Sequence, residues 1–263
     1  MTAGKKFFKS NKGLSLVLGT VGVLGVLCAF SILFVDQRLF EWQRGQYERY
    51  SEPLLLRAFV LLGKGWLPAW LLLCWGVLWR QRTRALIGLI ALLFVLSVLP
   101  IKLTTQRLRP RNVMHNDIPV TAMEKFKHSW SFPSGDTASA FAVATAAAPF
   151  VGWGFRIVFF TAAGVIGFFR VVMYAHYCGD AIGGAILGIV CGYLAMRFVI
   201  SRPATRRWLL KVLSREVMIA AIILIPVIHG ASGNWDQIRV FAMFYPAIVG
   251  AMFLVGRIQT AKG

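Results

Sequence analysis

The sequence predicts an all-α integral membrane protein, a single polytopic domain over residues 1–263, and three observations carry that expectation. Hydrophobic residues make up 57% of the chain, and the mean hydropathy of +0.66 is far above what a soluble domain of this length needs. Long apolar runs recur, and about twenty apolar residues at the helical rise are enough to cross a bilayer. The formal net charge is +19. Its basic residues cluster between alternate apolar runs, not along one soluble stripe, which points to membrane topology and away from nucleic acid as a partner.

Taken in order, the first run is Leu14–Val35, preceded by Lys5, Lys6, Lys9 and Lys12. A secretory signal shares that pattern, but this run is long and no small-residue cleavage pattern follows, so it reads as a retained span. The segment Asp36 to Glu52 mixes both signs of charge with Phe40, Trp42, Tyr47 and Tyr50 and suits the headgroup region, as an interfacial helix or an ordinary loop. A second span lies within Pro53–Trp79. Its Arg57 and Lys64 fall near the outer end, where long stems snorkel to water or join a site. Arg80, Arg82 and Arg84 follow, then the third run, Ala85–Ile101.

Thr137–Val151 and Ile157–Ala175 are the fourth and fifth runs, with Arg156 between them. The sixth, Ala181–Ile200, carries Gly184, Gly188 and Gly192 at four-residue spacing, which lets another helix approach closely, within the chain first and in a dimer second. Arg202, Arg206, Arg207, Lys211 and Arg215 come next, and the shorter runs Glu216–Ile228 and Val240–Val255 complete eight, with Arg257 and Lys262 behind them. If all eight cross, every basic cluster shares one side, which the positive-inside rule makes cytoplasmic together with both termini. Cys28, Cys74, Cys178 and Cys191 have no metal-ligand spacing and read as packing residues.

Three polar fragments then fall on the opposite side: Lys102 to Arg109-Pro110, Ser131-Phe-Pro-Ser-Gly-Asp136, and Arg170 to His176 and Asp180. Ionisable residues beside hydrocarbon are costly and mark functional sites by default. Lys102, Arg109 and Arg170 would repel one another without an anion, and guanidinium forks match phosphate oxygens. Ser134 and Gly135 add a hydroxyl and backbone N–H groups at a helix N-terminus, which favour the same charge. His176 and Asp180 are four apart and share a face if both are helical. A carboxylate that fixes one ring nitrogen leaves the other free to attack. An isolated pair of this kind would be a helix-end hydrogen bond; beside the basic cluster it reads as a nucleophile and its orienter. The long polar loop Gln106 to Ser134, with Arg107, Arg111, Lys125, Lys127, His128 and Trp130, is either a headgroup-binding lid or a basic aromatic loop on the membrane surface.

These fragments resemble the signature of the type 2 phosphatidic acid phosphatase (PAP2) family: Lys, six residues, Arg-Pro; then Pro-Ser-Gly-His; then Ser-Arg, five residues, His, three residues, Asp. The first is present in full as Lys102 to Arg109-Pro110; the second is Pro133-Ser134-Gly135-Asp136, with Asp for His; the third is Phe169-Arg170, His176 and Asp180, with Phe169 for Ser. The resemblance implies a six-helix transmembrane core with a catalytic part at roughly 85–200 and two extra C-terminal helices at roughly 216–257. It implies that His176 forms a phospho-histidine oriented by Asp180, with Lys102, Arg109, Ser134, Gly135 and Arg170 holding phosphoryl oxygens. No cofactor and no metal is implied.

Asp136 stands where the family's proton donor would be, and three readings stay open. It is a general acid with a raised pKa; or the leaving group, as in a lipid diphosphate, needs little acid help; or Asp136 caps the fourth span while His128 supplies the proton. The expectation is a lipid phosphatase of a bacterial inner membrane with a periplasm-facing site, acting on undecaprenyl diphosphate, phosphatidylglycerol phosphate or lipid A. Its partners would be that lipid phosphate or diphosphate and membrane lipids, with oligomeric state open. A lipid phosphotransferase using the same site, or a non-catalytic lipid-binding or transport protein, are the alternatives.

Overall fold

In hydrocarbon every backbone N–H and C=O must find a partner within its own segment, so apolar runs of this kind fold as helices. The computed structural model describes residues 11–44, 61–78, 80–114, 130–231, 233 and 238, and no strand occurs among them. In chain order the helices are α1 (Asn11–Phe30), continued by a π-helical turn (Ser31–Val35) into α2 (Asp36–Arg44), then α3 (Trp66–Leu78), α4 (Arg82–Val95), α5 (Val98–Thr105), α6 (Pro110–Met114), α7 (Gly135–Ala147), α8 (Trp153–Val172), α9 (Cys178–Ser201), α10 (Pro203–Val212) and α11 (Arg215–Ala231).

Four stretches are long and apolar enough to cross a membrane: Gly13–Gln43, Arg82–Val113, Trp153–Val172 and Cys178–Ser201. The pair α10 and α11 passes together but bends by 60° at its break. Among the described residues, the eight expected crossings are thus four such helices, or five with the bent pair. The run Val240–Val255, and with it Arg57, Tyr47, Tyr50, Lys125, Lys127 and His128, lies outside the described residues. Helix α7, at 13 residues, is shorter than a span. It starts at Gly135, inside the polar Ser131–Asp136 fragment, and the turn Ala148–Phe150 closes it at Pro149, which has no N–H to continue the ladder. The segment after the first run is helical from Asp36 through Arg44, and the rest of it, to Glu52, lies outside the described residues.

Helix α7 is the centre of the bundle. Lipid tails are as apolar as leucine, so helices associate here through close packing of small residues. A Cβ on Gly184, Gly188 or Gly192 of α9 would lie 2.4, 2.4 and 2.6 Å from the carbonyl oxygens of Ser134, Ala138 and Ala142. The glycine stripe therefore packs within the chain. Ala138 and Ala142 are fully buried between it and Ile87 and Ala91 of α4. Around this centre, α1 turns Leu16, Leu18, Val23, Val26 and Leu33 outward. An apolar face of that extent is a liability in water and ordinary in lipid.

Two side chains repair exposed backbone at the periphery. Pro226 inside α11 has no N–H to bond the Ile222 carbonyl four residues before it, and the Trp70 indole of α3 donates to that oxygen at 2.9 Å. Arg82, opening α4, donates to the Leu210 carbonyl and, at 2.6 Å through Nη2, to that of Leu213, the last orphan acceptors of α10. This is the end of the bundle that carries the Arg80 to Arg84 and Arg202 to Arg215 clusters. The polar fragments lie at the other end.

Candidate active site

The third fragment folds by a tight reversal. Helix α8 ends after Val172, Tyr174 takes a left-handed φ of 53°, and the Arg170 carbonyl accepts from the N–H groups of both Ala175 (3.1 Å) and His176 (3.2 Å). Asp180, three residues into the helix-capping arrangement of α9, accepts from the Tyr177 N–H at 2.8 Å. His176 therefore precedes α9 and is not on the same helix as Asp180, a correction to the shared-face expectation. Its Nδ1 stands 3.7 Å from Asp180 Oδ2, beyond hydrogen-bond range. The Ser131 hydroxyl fills the gap: it donates to Asp180 Oδ2 and lies 3.4 Å from His176 Nδ1. With that hydroxyl accepting from Nδ1–H, the ring is oriented through a relay and Nε2 is left to attack.

Asp180 is in turn held by a brace that reaches to the start of α2. Arg107 spreads its fork between Asp180 Oδ1 (2.9 Å) and Asp36 Oδ2 (2.8 Å), over the face of the Tyr177 ring. A π-helical turn sits where a helix is re-aimed, often at functional sites. Here it directs Asp36 inward, so that Asp36 Oδ1 accepts from Ser31 and from the Gly179 N–H, each at 2.9 Å. Gly179 has to be glycine, because a Cβ there would lie 2.6 Å from Ile32 Cγ1. Both carboxylates are almost wholly buried and each has charge and N–H partners, which is what keeping them there requires.

Three cations lie close enough to His176 to act on its charge. Burial, then the charges of Arg170, Arg109 and Lys102, hold the imidazole well below its usual value, with Asp136 pulling the other way. The ring is neutral and available as a nucleophile. Lys102 Nζ donates to the Trp130 carbonyl at 2.5 Å, tying α5 to the strand of chain that leads into Ser131. Ser134 is fully buried as the N-cap of α7, accepting from Thr137 N–H (3.4 Å) and from the Thr137 hydroxyl (2.9 Å), and Gly135 is the first helical residue. The cap is thus Ser134, and Asp136 lies in the first turn, which overturns the reading of Asp136 as the helix cap.

Asp136 Oδ2 meets two cations, Arg170 Nε at 3.2 Å and Lys64 Nζ at 3.5 Å. A carboxylate between two cations is suited to the ionised state, which accepts protons and donates none. Lys64 enters from the turn before α3 and so takes the second of its two expected roles, joining the site. Sequence reasoning assigned no role to Ser131, Arg107 or Asp36. The available signals were an acid at the mouth of an apolar run and two polar residues inside or beside the quoted fragments. Among the described residues no group of three His, Cys, Asp or Glu side chains is placed to hold a metal ion.

A buried neutral imidazole with a relayed carboxylate, facing cations at one end of an apolar helical bundle, equips a membrane enzyme for handling phosphate. Residues 82–204, just under half of the chain, match the model of the PAP2 superfamily, and that segment contains all three fragments. Among solved structures it is similar to the crystal structure of Aquifex aeolicus LpxE, with 24% identity and a TM-score of 0.49, over 62% of this chain and 95% of that one. No curated protein matches the chain.

Proposed function

We propose that the protein is a lipid phosphatase that removes a terminal phosphate, as a monoester or from a diphosphate, through a phospho-histidine at His176. The observation that carries this reading is the relay from Asp180 through Ser131 to a neutral His176 that faces Arg170, Arg109 and Lys102. Nε2 would attack phosphorus in line with the leaving oxygen. The guanidinium and ammonium groups, with the Gly135 N–H at the start of α7, would stabilise charge on the equatorial oxygens, while the Ser134 N–H is held by the Asp180 carbonyl at 2.9 Å. Water would then cleave the P–N bond. Undecaprenyl diphosphate, phosphatidylglycerol phosphate and lipid A are the substrates to test. The basic end of the bundle supports a cytoplasmic location for that end, with the site facing the periplasm of a bacterial inner membrane. In this reading the catalytic core spans roughly 85–200, with further helices behind it.

The test is inorganic phosphate release by detergent-purified protein and its His176→Ala variant across those three lipids and phosphatidic acid. Release from at least one lipid, abolished in the variant, is the expected result. Release that persists in His176→Ala would rule out the phospho-histidine, and no release from any of them would remove the phosphatase reading.

A further inference from the structure

The family's second fragment carries a histidine as proton donor, and this chain has Asp136, whose Oδ2 is occupied by two cations. The leaving oxygen of an alkyl phosphate still needs a proton as its bond to phosphorus breaks. One of the two cations has the chemistry to supply it. Arg170 is a guanidinium, effectively never deprotonated in proteins, and its side chain is only 8% exposed. Lys64 is an ammonium on a flexible stem, a group that can give up and regain a proton, and its side chain is 34% exposed, the most open of the three.

The turn that delivers Lys64 is fitted to this place. It is closed by the Lys64 N–H bonding the Leu61 carbonyl (3.0 Å) and the Leu67 N–H bonding the Lys64 carbonyl (2.9 Å). A Cβ on Gly63 would lie 3.0 Å from the Asp136 carbonyl oxygen, 3.1 Å from Asp136 Cβ and 2.8 Å from Ile166 Cγ2. Glycine at 63 therefore lets the turn lie flush on the start of α7 and bring the neighbouring ammonium onto Asp136. The turn that carries Gly63 and Lys64 comes from outside residues 82–204, the segment that matches the family model.

We propose that Lys64 is a catalytic residue, the proton donor to the leaving group, and that Asp136 is the positioning carboxylate that aims it. The proposal rests on the phosphatase reading above. In the first step His176 Nε2 bonds to phosphorus, the P–O bond to the lipid breaks, and Lys64 gives one proton to the departing oxygen, leaving a neutral alcohol and a neutral amine. In the second step that amine takes a proton from water as the water oxygen bonds to phosphorus. The P–N bond breaks, inorganic phosphate leaves, and neutral His176 and charged Lys64 are restored. Pairing to Asp136 holds the ammonium in place between turnovers.

The experiment compares two substrates on the full-length, detergent-purified protein: dodecyl phosphate, whose leaving alkoxide needs a proton, and p-nitrophenyl phosphate, whose leaving phenolate does not. A positioned general acid contributes about 10²–10⁴-fold. Lys64→Ala should therefore lose about that factor in kcat on dodecyl phosphate and less than about tenfold on p-nitrophenyl phosphate, whose turnover also shows that the variant is folded. Lys64→Arg keeps the charge but not the releasable proton, and should stay low on dodecyl phosphate. Equal losses on both substrates, or recovery of dodecyl phosphate turnover in Lys64→Arg, would overturn the acid role and leave the phosphatase reading standing. If wild type shows no His176-dependent release from either substrate, the phosphatase reading itself fails.

Discussion

Replacing Gly184 by alanine puts a Cβ 2.4 Å from the Ser134 carbonyl oxygen and 3.1 Å from Thr137 Cβ, where ordinary contact begins at 3.4 Å. The nearest atom is backbone, so it cannot rotate away. The start of α7 must move by about 1 Å, and overpacking of this kind costs about 1–3 kcal/mol. The same displacement shifts Ser134, whose N–H bonds the Asp180 carbonyl at 2.9 Å, and with it Asp136, which pairs with Arg170 and Lys64, and a misplacement of about 1 Å can cost roughly 10²-fold in rate. Gly192 provides the control. Its Cβ would lie 2.6 Å from the Ala142 carbonyl and 2.7 Å from Thr145 Cβ, two turns farther from the site. Thermal unfolding in detergent should show comparable losses for Gly184→Ala and Gly192→Ala. Phosphate release should fall about 10²-fold for the first and less than about tenfold for the second. Wild-type activity and melting temperature in Gly184→Ala, or equal activity losses in the two variants, would refute the reasoning.

Two further outcomes follow from the same geometry. Asp36→Asn keeps the shape of the side chain but removes the charge that shares Arg107, a hydrogen bond to a charged group worth about 1.5–3 kcal/mol. It should lower the melting temperature and reduce kcat with little change in KM, because it acts on His176 only through Arg107 and Asp180; unchanged kcat and melting temperature would show that the brace does nothing. The pH profile reports on His176. In the proposed mechanism its neutral form attacks, and its folded value lies below the usual one, so kcat/KM should stay level as pH falls through about 6.5 and drop only at lower pH. An acid limb at or above that point would contradict a buried imidazole kept neutral by its cationic neighbours.

The apolar periodicity made the helical membrane class legible, since composition alone forces backbone satisfaction inside each run. The fixed spacings from Lys102 to Arg109 and from His176 to Asp180 were legible too, because they lie within continuous pieces of chain. The four-residue glycine stripe read correctly as an internal contact, its first reading. What stayed hidden came from pairings between distant segments. Asp36 read as one more charge in a headgroup-like stretch, and nothing local announces a π-helical turn that swings it onto Gly179, 143 residues on. Lys64 read equally well as a snorkelling side chain. The relay through Ser131 was invisible because it depends on a gap of 3.7 Å between His176 and Asp180, a distance that only the reversal at Tyr174 sets. The fourth run is helical as expected, but α7 covers only Gly135–Ala147 before the turn at Pro149.

The Arg107 fork, with one arm on Asp180 and the other on Asp36, bears on how this enzyme can be exchanged or recombined. A chimaera that swaps residues 82–204 into another framework matching the same family model would bring His176, its relay and the cation cluster, yet leave Asp36 and Lys64 behind. The boundary drawn by family likeness cuts through two ion pairs. Donor and recipient would have to agree at both positions for the transplanted site to keep its shape, so the start of α2 and the turn before α3 are expected to travel with residues 82–204 as one unit.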